Sequence, residues 1–245
     1  MSGHSKWATI KHKKAATDAK RGKAFTRLIK EIVIAARSGG DPDANSRLRT
    51  AVAAAKAVSM PAENIKRAVM RGTGELEGGQ IDEITFEGYG PGGAAIMVFV
   101  ATDNRNRTVA EIRHLFSKHG GNMGEVGSVG WMFERKSQIL IEKELATEDQ
   151  LMEFALEAGA DDVRDQGDSW EILSAPDAHN TVVDALAKAK IATVSAEIAM
   201  IPKNLHAVDA KHSAGMMRIM DFLDEHDDVQ NVYTNADFGD EDDEG

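Results

Sequence analysis

The fold is decided by residues 138–200, which read QILIEKELATEDQLMEFALEAGADDVRDQGDSWEILSAPDAHNTVVDALAKAKIATVSAEIAM. Short apolar runs alternate there with longer stretches whose apolar residues recur every three or four positions, as on one face of a helix. The pattern predicts, in order, a strand at 138–142, a helix at 148–158, strands at 162–165 and 170–173, a helix at 178–189 and a strand at 192–200. This β-α-β-β-α-β order is the split βαβ arrangement, so we predict a ferredoxin-like domain that closes by itself.

The segment before this stretch predicts the first part of another α/β domain. Strands at 82–89 and 94–101 flank the glycine-rich turn 90–93, which is typical of a hairpin. Thr108, with Glu111 three residues later, has the spacing of a capping box, so we expect a helix to begin at Thr108.

The segment after it is too short to form a domain. Before residues 138–200, a glycine-rich loop at 120–130 leads into a predicted strand that contains Trp131 and Phe133. After residues 138–200, the end of the chain predicts a helix near 209–226 and a strand at 229–234. We expect the last two elements to return and complete the middle domain, which makes that domain discontinuous and the ferredoxin-like domain an insertion.

The first part of the chain predicts three helices, at about 16–37, 44–59 and 61–71. Gly-Gly-Asp-Pro at 39–42 ends the first helix, and Pro61 suits a helix start. The first helix has one apolar stripe, formed by Phe25, Leu28, Ile29, Ile32, Val33 and Ala36. A small helical bundle buries such a stripe.

The predicted fold class is therefore a multidomain α+β protein with an N-terminal three-helix bundle, a discontinuous α/β middle domain and an inserted ferredoxin-like α/β domain. We expect the boundaries at 1–78 for the basic helical domain, 79–135 plus 204–236 for the middle domain, 136–203 for the insertion and 237–245 for a disordered acidic tail.

The composition excludes several classes of protein. The chain has no cysteine, so it has no disulfide framework and no thiolate zinc site. Its first residues carry lysines instead of an apolar core, and its longest apolar run is far shorter than the roughly 20 residues of a membrane-spanning helix. We therefore expect a cytoplasmic protein with no membrane segment, and a monomer.

The charge is divided unequally along the chain. Residues 1–72 hold 16 Lys and Arg against 5 Asp and Glu, a surplus of eleven positive charges, whereas residues 73–245 hold 13 against 35, a surplus of 22 negative charges. A basic domain attached to an acidic remainder indicates a contact with polyanions that is confined to the basic domain.

A basic row on the first predicted helix is the most informative motif. Lys20, Lys23, Arg27 and Lys30 recur at spacings of three and four, opposite the apolar stripe. On a lone helix such a row is usually a solvated surface, but here many cations share one small domain, and we interpret the row as a phosphate-binding face. The predicted nucleic-acid contacts are Lys6, Trp7, Lys11, Lys13, Lys14, Lys20, Arg21, Lys23, Arg27 and Lys30. Because the row avoids the stripe, its replacement by glutamine is expected to leave folding intact.

Two further features have an ordinary structural interpretation beside the functional one. Trp7, between Lys6 and Lys11, is suited to stacking on an exposed base, and equally to docking on the bundle. Arg105 and Arg107 lie just before the predicted helix start and offer additional anion contacts, although a capped loop explains the surrounding residues as well.

No arrangement of residues predicts catalysis. The chain shows no nucleophile elbow and no nucleotide-hydrolysis loop, and His4 and His12 lack a third metal ligand. We therefore expect no enzyme activity, no catalytic residue, no metal site and no cofactor.

Several long motifs resemble one family, the YebC family, and they occur in the family's order along nearly the whole chain. They are GHSKW at 3–7, KRGK at 20–23 followed by Phe25 and Thr26, GGDP at 39–42, residues 87–93 and 103–108, FSK at 116–118 and GSV at 127–129. The resemblance implies a three-domain α/β architecture and a role in gene expression. It leaves two targets open, because bacterial members are described as DNA-binding transcriptional regulators, whereas organelle relatives activate translation and some bacterial ones relieve ribosome stalling, which implies ribosomal RNA and the ribosome as partners.

Overall fold

The computed structural model describes residues 18–239, with side chains from residue 22 onward. Its elements form a helical bundle, two four-stranded sheets with their covering helices, and a short two-stranded sheet. Of the helices in residues 18–239, none is both long and apolar enough to cross a membrane.

The helical bundle consists of α1 (Asp18–Ala36), α2 (Ser46–Ala57) and α3 (Ala62–Gly72). Asn45 caps α2 by accepting a hydrogen bond from the Leu48 N–H, and Pro61 precedes α3, as predicted. A Cβ atom at Gly72 would lie 2.4 Å from the Val33 carbonyl oxygen, so the close crossing of α1 and α3 requires glycine there. The predicted stripe packs in the bundle core, where its second half is fully buried.

The middle domain has an antiparallel sheet with one helical layer. Its strands are β1 (Asp82–Tyr89), β2 (Ala95–Thr102), β3 (Asn122–Met123) and β9 (Val229–Thr234), in the order β3-β1-β2-β9. The helices α4 (Arg105–Lys118) and α7 (Ala210–Glu225) cover one face of this sheet around the buried Phe116 and Ile219. The end of the chain therefore returns to the middle domain, as the sequence predicts.

The inserted domain contains β4 (Phe133–Glu142), α5 (Glu148–Glu157), β5 (Ala160–Asp165), β6 (Ser169–Ser174), α6 (His179–Lys188) and β7 (Ser195–Pro202). Its antiparallel strands lie in the order β5-β6-β4-β7, which is the ferredoxin-like order. The predicted fold class is confirmed.

The two sheets pack against each other through apolar side chains. Met97 and Tyr233 of the middle sheet meet Leu173, Ala199 and Ile201 of the inserted sheet. The strand β2 is thus covered on both faces, since its other face packs on α4 and α7, and seven of its eight residues are buried. This explains why its sequence is a continuous apolar run and not an alternating one.

The helix α4 begins three residues earlier than predicted. Asn104, not Thr108, is its N-cap, because the Asn104 side chain accepts the Arg107 N–H. Thr108 lies fully buried inside the helix, where its hydroxyl has other partners. The expected capping box is wrong, although the helix itself exists.

A second difference concerns the strand expected at Trp131. Trp131 lies in a short 3-10 turn (Gly130–Met132), and β4 starts at Phe133 and continues without interruption to Glu142. The predicted third strand of the middle domain is therefore the first part of β4, and β3, inside the glycine-rich loop, takes its place at the sheet edge. Because β4 crosses the expected boundary between residues 135 and 136, we keep the domain boundaries as a proposal.

The chain end is ordered further than predicted. Asp237 belongs to β10 (Ala236–Asp237), which pairs with β8 (His206–Ala207), and Phe238 is 6% exposed in the middle core. The tail expected at 237–245 thus begins at least three residues too early. The acidic composition predicted that this segment lies in solvent, but burial of Phe238 holds its first residues on the middle domain. Residues 240–245 lie outside the described part of the chain.

Candidate nucleic-acid interface

The arm of predicted contacts lies outside the described residues. This applies to Lys6, Trp7, Lys11, Lys13 and Lys14. Lys20 and Arg21 belong to α1 by their backbone, but their side chains are outside the description as well.

The other three cations of the predicted row contact a segment of the middle domain. We call residues 224–228 (DEHDD) the acidic turn. The ammonium of Lys23 donates to the carbonyl oxygen of Asp224 at 2.5 Å, and Arg27 donates to the same carbonyl and forms an ion pair with the Asp224 carboxylate at 3.2 Å. Lys30 lies 2.7 Å from Oδ1 of Asp228. Lys23, Arg27 and Lys30 therefore form an interdomain contact.

The chemistry of the α7 C-terminus explains this contact. The last carbonyl groups of a helix have no partner within the helix and carry partial negative charge. The last turn of α7 holds no basic residue to offset that charge and holds Asp224 and Glu225, which add to it. The cations of α1 supply the missing positive charge from another domain.

The carboxylate of Asp228 joins three parts of the molecule. Besides Lys30 of α1, it accepts a hydrogen bond from Arg107 at 2.8 Å and lies 2.7 Å from the Thr108 hydroxyl and 3.1 Å from the Thr102 hydroxyl. Burial disfavours ionisation of Asp228, but the bonds from Lys30, Thr108 and Arg107 outweigh it and hold the pKa of this carboxyl well below its usual range. Asp228 is thus an ionised group that fixes α1 against α4.

The two arginines of the α4 start have different environments. Arg107 is occupied by Asp228 and also lies 3.4 Å from Asp103. Arg105 is exposed and has no ion pair with any residue in the range 18–239. Of the two additional contacts expected from the sequence, only Arg105 presents an uncommitted guanidinium.

Other contacts dock the helical bundle on the middle domain. Arg47 bridges Glu31 of α1 and Glu83 of β1, at 2.8 and 2.6 Å. Ile81, just before β1, and Ala101, near the end of β2, are buried in the core of the bundle. The bundle therefore packs as part of one assembly with the middle domain.

These contacts revise the expectation that the row on α1 faces solvent. Lys23, Arg27 and Lys30 lie away from the apolar stripe, but the acidic turn covers that side of α1. Whether the predicted residues bind nucleic acid stays a prediction, and glutamine replacement of the row is now expected to affect stability.

Another group of cations in the bundle is uncommitted. Lys56 on α2 and Lys66, Arg67 and Arg71 on α3 are all exposed, and none has a hydrogen bond or an ion pair with a residue that the structure describes. We call these four residues the outer basic face.

A cleft of about 580 Å³ adjoins the acidic turn. Glu111, His226 and Asp228, which line it, bring three potential ligand atoms within 4.8 Å of one another. The His226 ring, however, accepts the Asp228 N–H at Nδ1 and donates to Glu111 from Nε2. With both ring nitrogens occupied, we assign no metal to this cleft.

A buried carboxylate that the sequence analysis overlooked organises the loop before β4. Glu87, 6% exposed, accepts the backbone N–H groups of Gly127, Val129 and Gly130 at 2.7 to 2.9 Å. Burial disfavours its ionisation, but the three amides outweigh this and lower the pKa of Glu87. The loop presents Trp131, 65% exposed, at the surface. The available signal was an acidic residue between Phe86 and Gly88, near the end of a predicted strand.

One buried pair has the atoms of a catalytic dyad but not its setting. The Ser137 hydroxyl lies 2.8 Å from Nδ1 of His179, and both residues are less than 9% exposed. Burial lowers the pKa of His179. A substrate has no route to a hydroxyl that is fully covered, so the pair is structural.

Comparisons with known proteins match the chain over nearly its whole length. The family model of the TACO1/YebC N-terminal domain matches residues 5–75, and that of the TACO1/YebC second and third domain matches residues 81–236. A "Probable transcriptional regulatory protein" of Solibacter usitatus is 68% identical over 97% of this chain and 96% of its own length, and one of Koribacter versatilis is 63% identical with the same coverage. The crystal structure of a conserved hypothetical protein from Aquifex aeolicus has a TM-score of 0.84 at 42% identity, over 93% of this chain and 95% of its own.

Proposed function

The chain belongs to the TACO1/YebC family, a family of regulatory proteins and not of enzymes, and we propose that it regulates transcription by binding DNA through its basic helical domain. The regulatory role follows from the relatives, and the DNA contact is the proposal. We further propose a cytoplasmic monomer, as expected from the sequence.

The division of charge carries this proposal. The first 72 residues have a surplus of eleven positive charges, and the remaining residues have a surplus of 22 negative charges. A duplex carries one negative charge per roughly 1.7 Å of axis, so it is attracted to the bundle and repelled by the two α/β domains. Contact through the bundle alone is consistent with both this attraction and this repulsion.

Contacts to phosphates position a protein on DNA but do not recognise the base sequence. The described part of the bundle shows no helix on which Asn, Gln and Arg side chains point together from one exposed face, as base readout in a major groove requires. The proposal therefore specifies backbone binding and leaves base recognition to other contacts.

The test is sedimentation of a cell lysate through a sucrose gradient at moderate salt, with the intact protein followed by antibody. One portion is treated with DNase, one with RNase, and one is left untreated. We expect migration with chromosomal DNA that only DNase releases.

Two other outcomes would contradict the DNA target. Migration with ribosomes that RNase abolishes and DNase does not would assign a translation factor that binds ribosomal RNA. Migration as a free protein in all three portions, at salt low enough to preserve electrostatic binding, would remove nucleic acid as the partner.

A further inference from the structure

The outer basic face differs from every other set of cations in the described bundle, because it lacks intramolecular partners. Lys23, Arg27 and Lys30 contact the acidic turn, and Arg37 donates to the Ile81 carbonyl oxygen at 2.5 Å. Arg47 bridges two glutamates, and Arg49 donates to the Asp43 carbonyl oxygen at 3.2 Å. The cations left over are Lys56, Lys66, Arg67 and Arg71.

The helices that carry these cations contain almost no acid. Glu63, in the first turn of α3, is the one acidic residue within α2 and α3. A negative charge at that position is stabilised by the N-terminal end of the helix. The helices α2 and α3 therefore each carry more positive than negative charge.

The positions on α3 place its cations on one side. Ile65 and Ala68 are buried in the bundle, whereas Lys66, Arg67 and Arg71 are exposed. Arg67 and Arg71 are four residues apart and so are neighbours on the helix surface. On α2, the residues near Lys56 that face solvent include Ala53, Ala54 and Ala57, whose short side chains do not obstruct a close approach.

The row on α1 is a poor competitor for the same ligand. A phosphate that reached Lys30 would have to replace Asp228, which is 5% exposed and would be left buried without one of its cations. Removing one partner of such a pair is strongly unfavourable. A phosphate at the outer basic face displaces only water and counterions.

On the premise of the proposed function, we infer that the outer basic face, Lys56, Lys66, Arg67 and Arg71, is the surface of the folded bundle that contacts the phosphate backbone of nucleic acid. The row on α1 serves to hold the bundle on the middle domain. The ligand is recognised by its regularly spaced phosphates, and binding is therefore independent of sequence and sensitive to salt.

The test compares two triple variants of the full-length protein. The first is Lys56→Gln, Lys66→Gln and Arg67→Gln together. The matched control is Arg113→Gln, Lys188→Gln and Lys211→Gln, which removes three exposed charges from the other two domains. Binding to a fluorescein-labelled duplex of about 20 base pairs is followed by anisotropy between roughly 50 and 200 mM salt. The same titrations are repeated with an RNA duplex.

We expect the first variant to bind about tenfold or more weakly at low salt, and its log-log salt slope to be less steep by up to roughly 2.7, at about 0.9 per phosphate contact. The control is expected to match the parent. Thermal melts monitored by circular dichroism establish that each variant is folded. The pair Lys66→Arg and Arg67→Lys, which keeps the charge, is expected to bind like the parent and guards against a change in packing.

The outcomes separate the two proposals. A first variant with the parent's affinity and slope overturns the assignment of this face and leaves the proposed function standing. An equal loss in the control also overturns it, because the effect would then follow net charge alone. A parent that binds neither duplex contradicts the proposed function, and the inference falls with it.

Discussion

The helical bundle carries two basic surfaces that differ in whether they have partners within the described part of the molecule. Lys23, Arg27 and Lys30 of the row on α1 contact the acidic turn, whereas the outer basic face on α2 and α3 has no partner in the described residues. Both consist of lysines and arginines at helical spacing, so their sequences alone do not distinguish them. The comparison teaches that a cation is available to a ligand only if the rest of the fold has not already neutralised it.

The largest expected effect comes from removing the group that commits the α1 row. Asp228→Ala leaves Lys30, Arg107 and two hydroxyl groups without their shared acceptor. Breaking a buried pair in this way costs about 3–5 kcal/mol of unfolding free energy. Urea denaturation measures it, and the control is Asp227→Ala, whose exposed side chain is expected to contribute less than about 0.5 kcal/mol. Equal costs for the two variants would show that Asp228 does not hold the domains together.

The same carboxylate predicts an acid dependence. The pKa of Asp228 is lowered in the folded state, so its contribution to stability is fully present above the ordinary aspartate pKa of about 4 and is lost as the pH falls toward the folded-state pKa. The stability of the parent should therefore decline below about pH 4 more steeply than that of Asp228→Asn. Parallel declines would contradict this assignment.

The next effect distinguishes the two surfaces directly. Lys23→Gln, Arg27→Gln and Lys30→Gln together should lower the unfolding free energy by about 2 kcal/mol, because three interdomain contacts are lost. This replaces the earlier expectation of unchanged folding. The triple variant of the outer basic face should keep the parent's stability. If the α1 variant is as stable as the parent and binds DNA more weakly, the roles of the two surfaces are reversed.

A smaller effect concerns the proton on Lys23. Burial and the neighbouring Arg27 lower the pKa of Lys23 to about 8, against the opposing influence of the acidic turn. Between that pH and the unfolded value near 10.5, the unfolded state binds more protons, so the contribution of Lys23 to stability rises with pH. Lys23→Met should flatten this rise in a comparison of melting temperatures at pH 7.5 and 10. An unchanged difference between the two pH values would show that Lys23 titrates normally.

The smallest expected effect is that of an exposed bridge. Arg47→Gln removes ion pairs to Glu31 and Glu83, but the Arg47 side chain is 48% exposed. Solvent screening reduces such a contribution to about 0.5 kcal/mol. Urea denaturation of this single variant measures the contribution of a surface contact to docking, and a loss above that of the α1 triple variant would contradict the ranking.

Most of the fold could be predicted because its signals are local. Periodicity placed all three bundle helices and β1, and the order of elements gave the ferredoxin-like insertion. The helix start at Asn104 was missed because Thr108 and Glu111 have the spacing of a capping box, while burial of Thr108 against Asp228 cannot be read from spacing.

The contacts of the candidate site could not be predicted from such local signals. The partners of Lys23, Arg27 and Lys30 are about 200 residues away in the chain, and no local pattern signals a pairing of that range. The acidic turn looks like a solvated helix end in the sequence. The sequence shows 16 basic residues in the first part of the chain and 35 acidic ones in the rest. Only the packing of the bundle against the middle domain shows that some of these opposite charges pair with each other within the molecule.

The long pairing of β4 with β7 has a consequence for how this architecture is assembled from modules. The chain leaves the middle domain along β4 and returns along β7, and the two strands are paired from Phe133 opposite Pro202 to Leu140 opposite Ser195. Lys136 and Ala199 lie opposite each other in this pair of strands. A tight turn from β4 to β7 near these two residues would therefore leave out the insertion and produce a plain hairpin. The paired strands β4 and β7 are thus a point at which a whole domain can be inserted or removed. Its removal would expose the apolar face of the middle sheet that the inserted sheet covers.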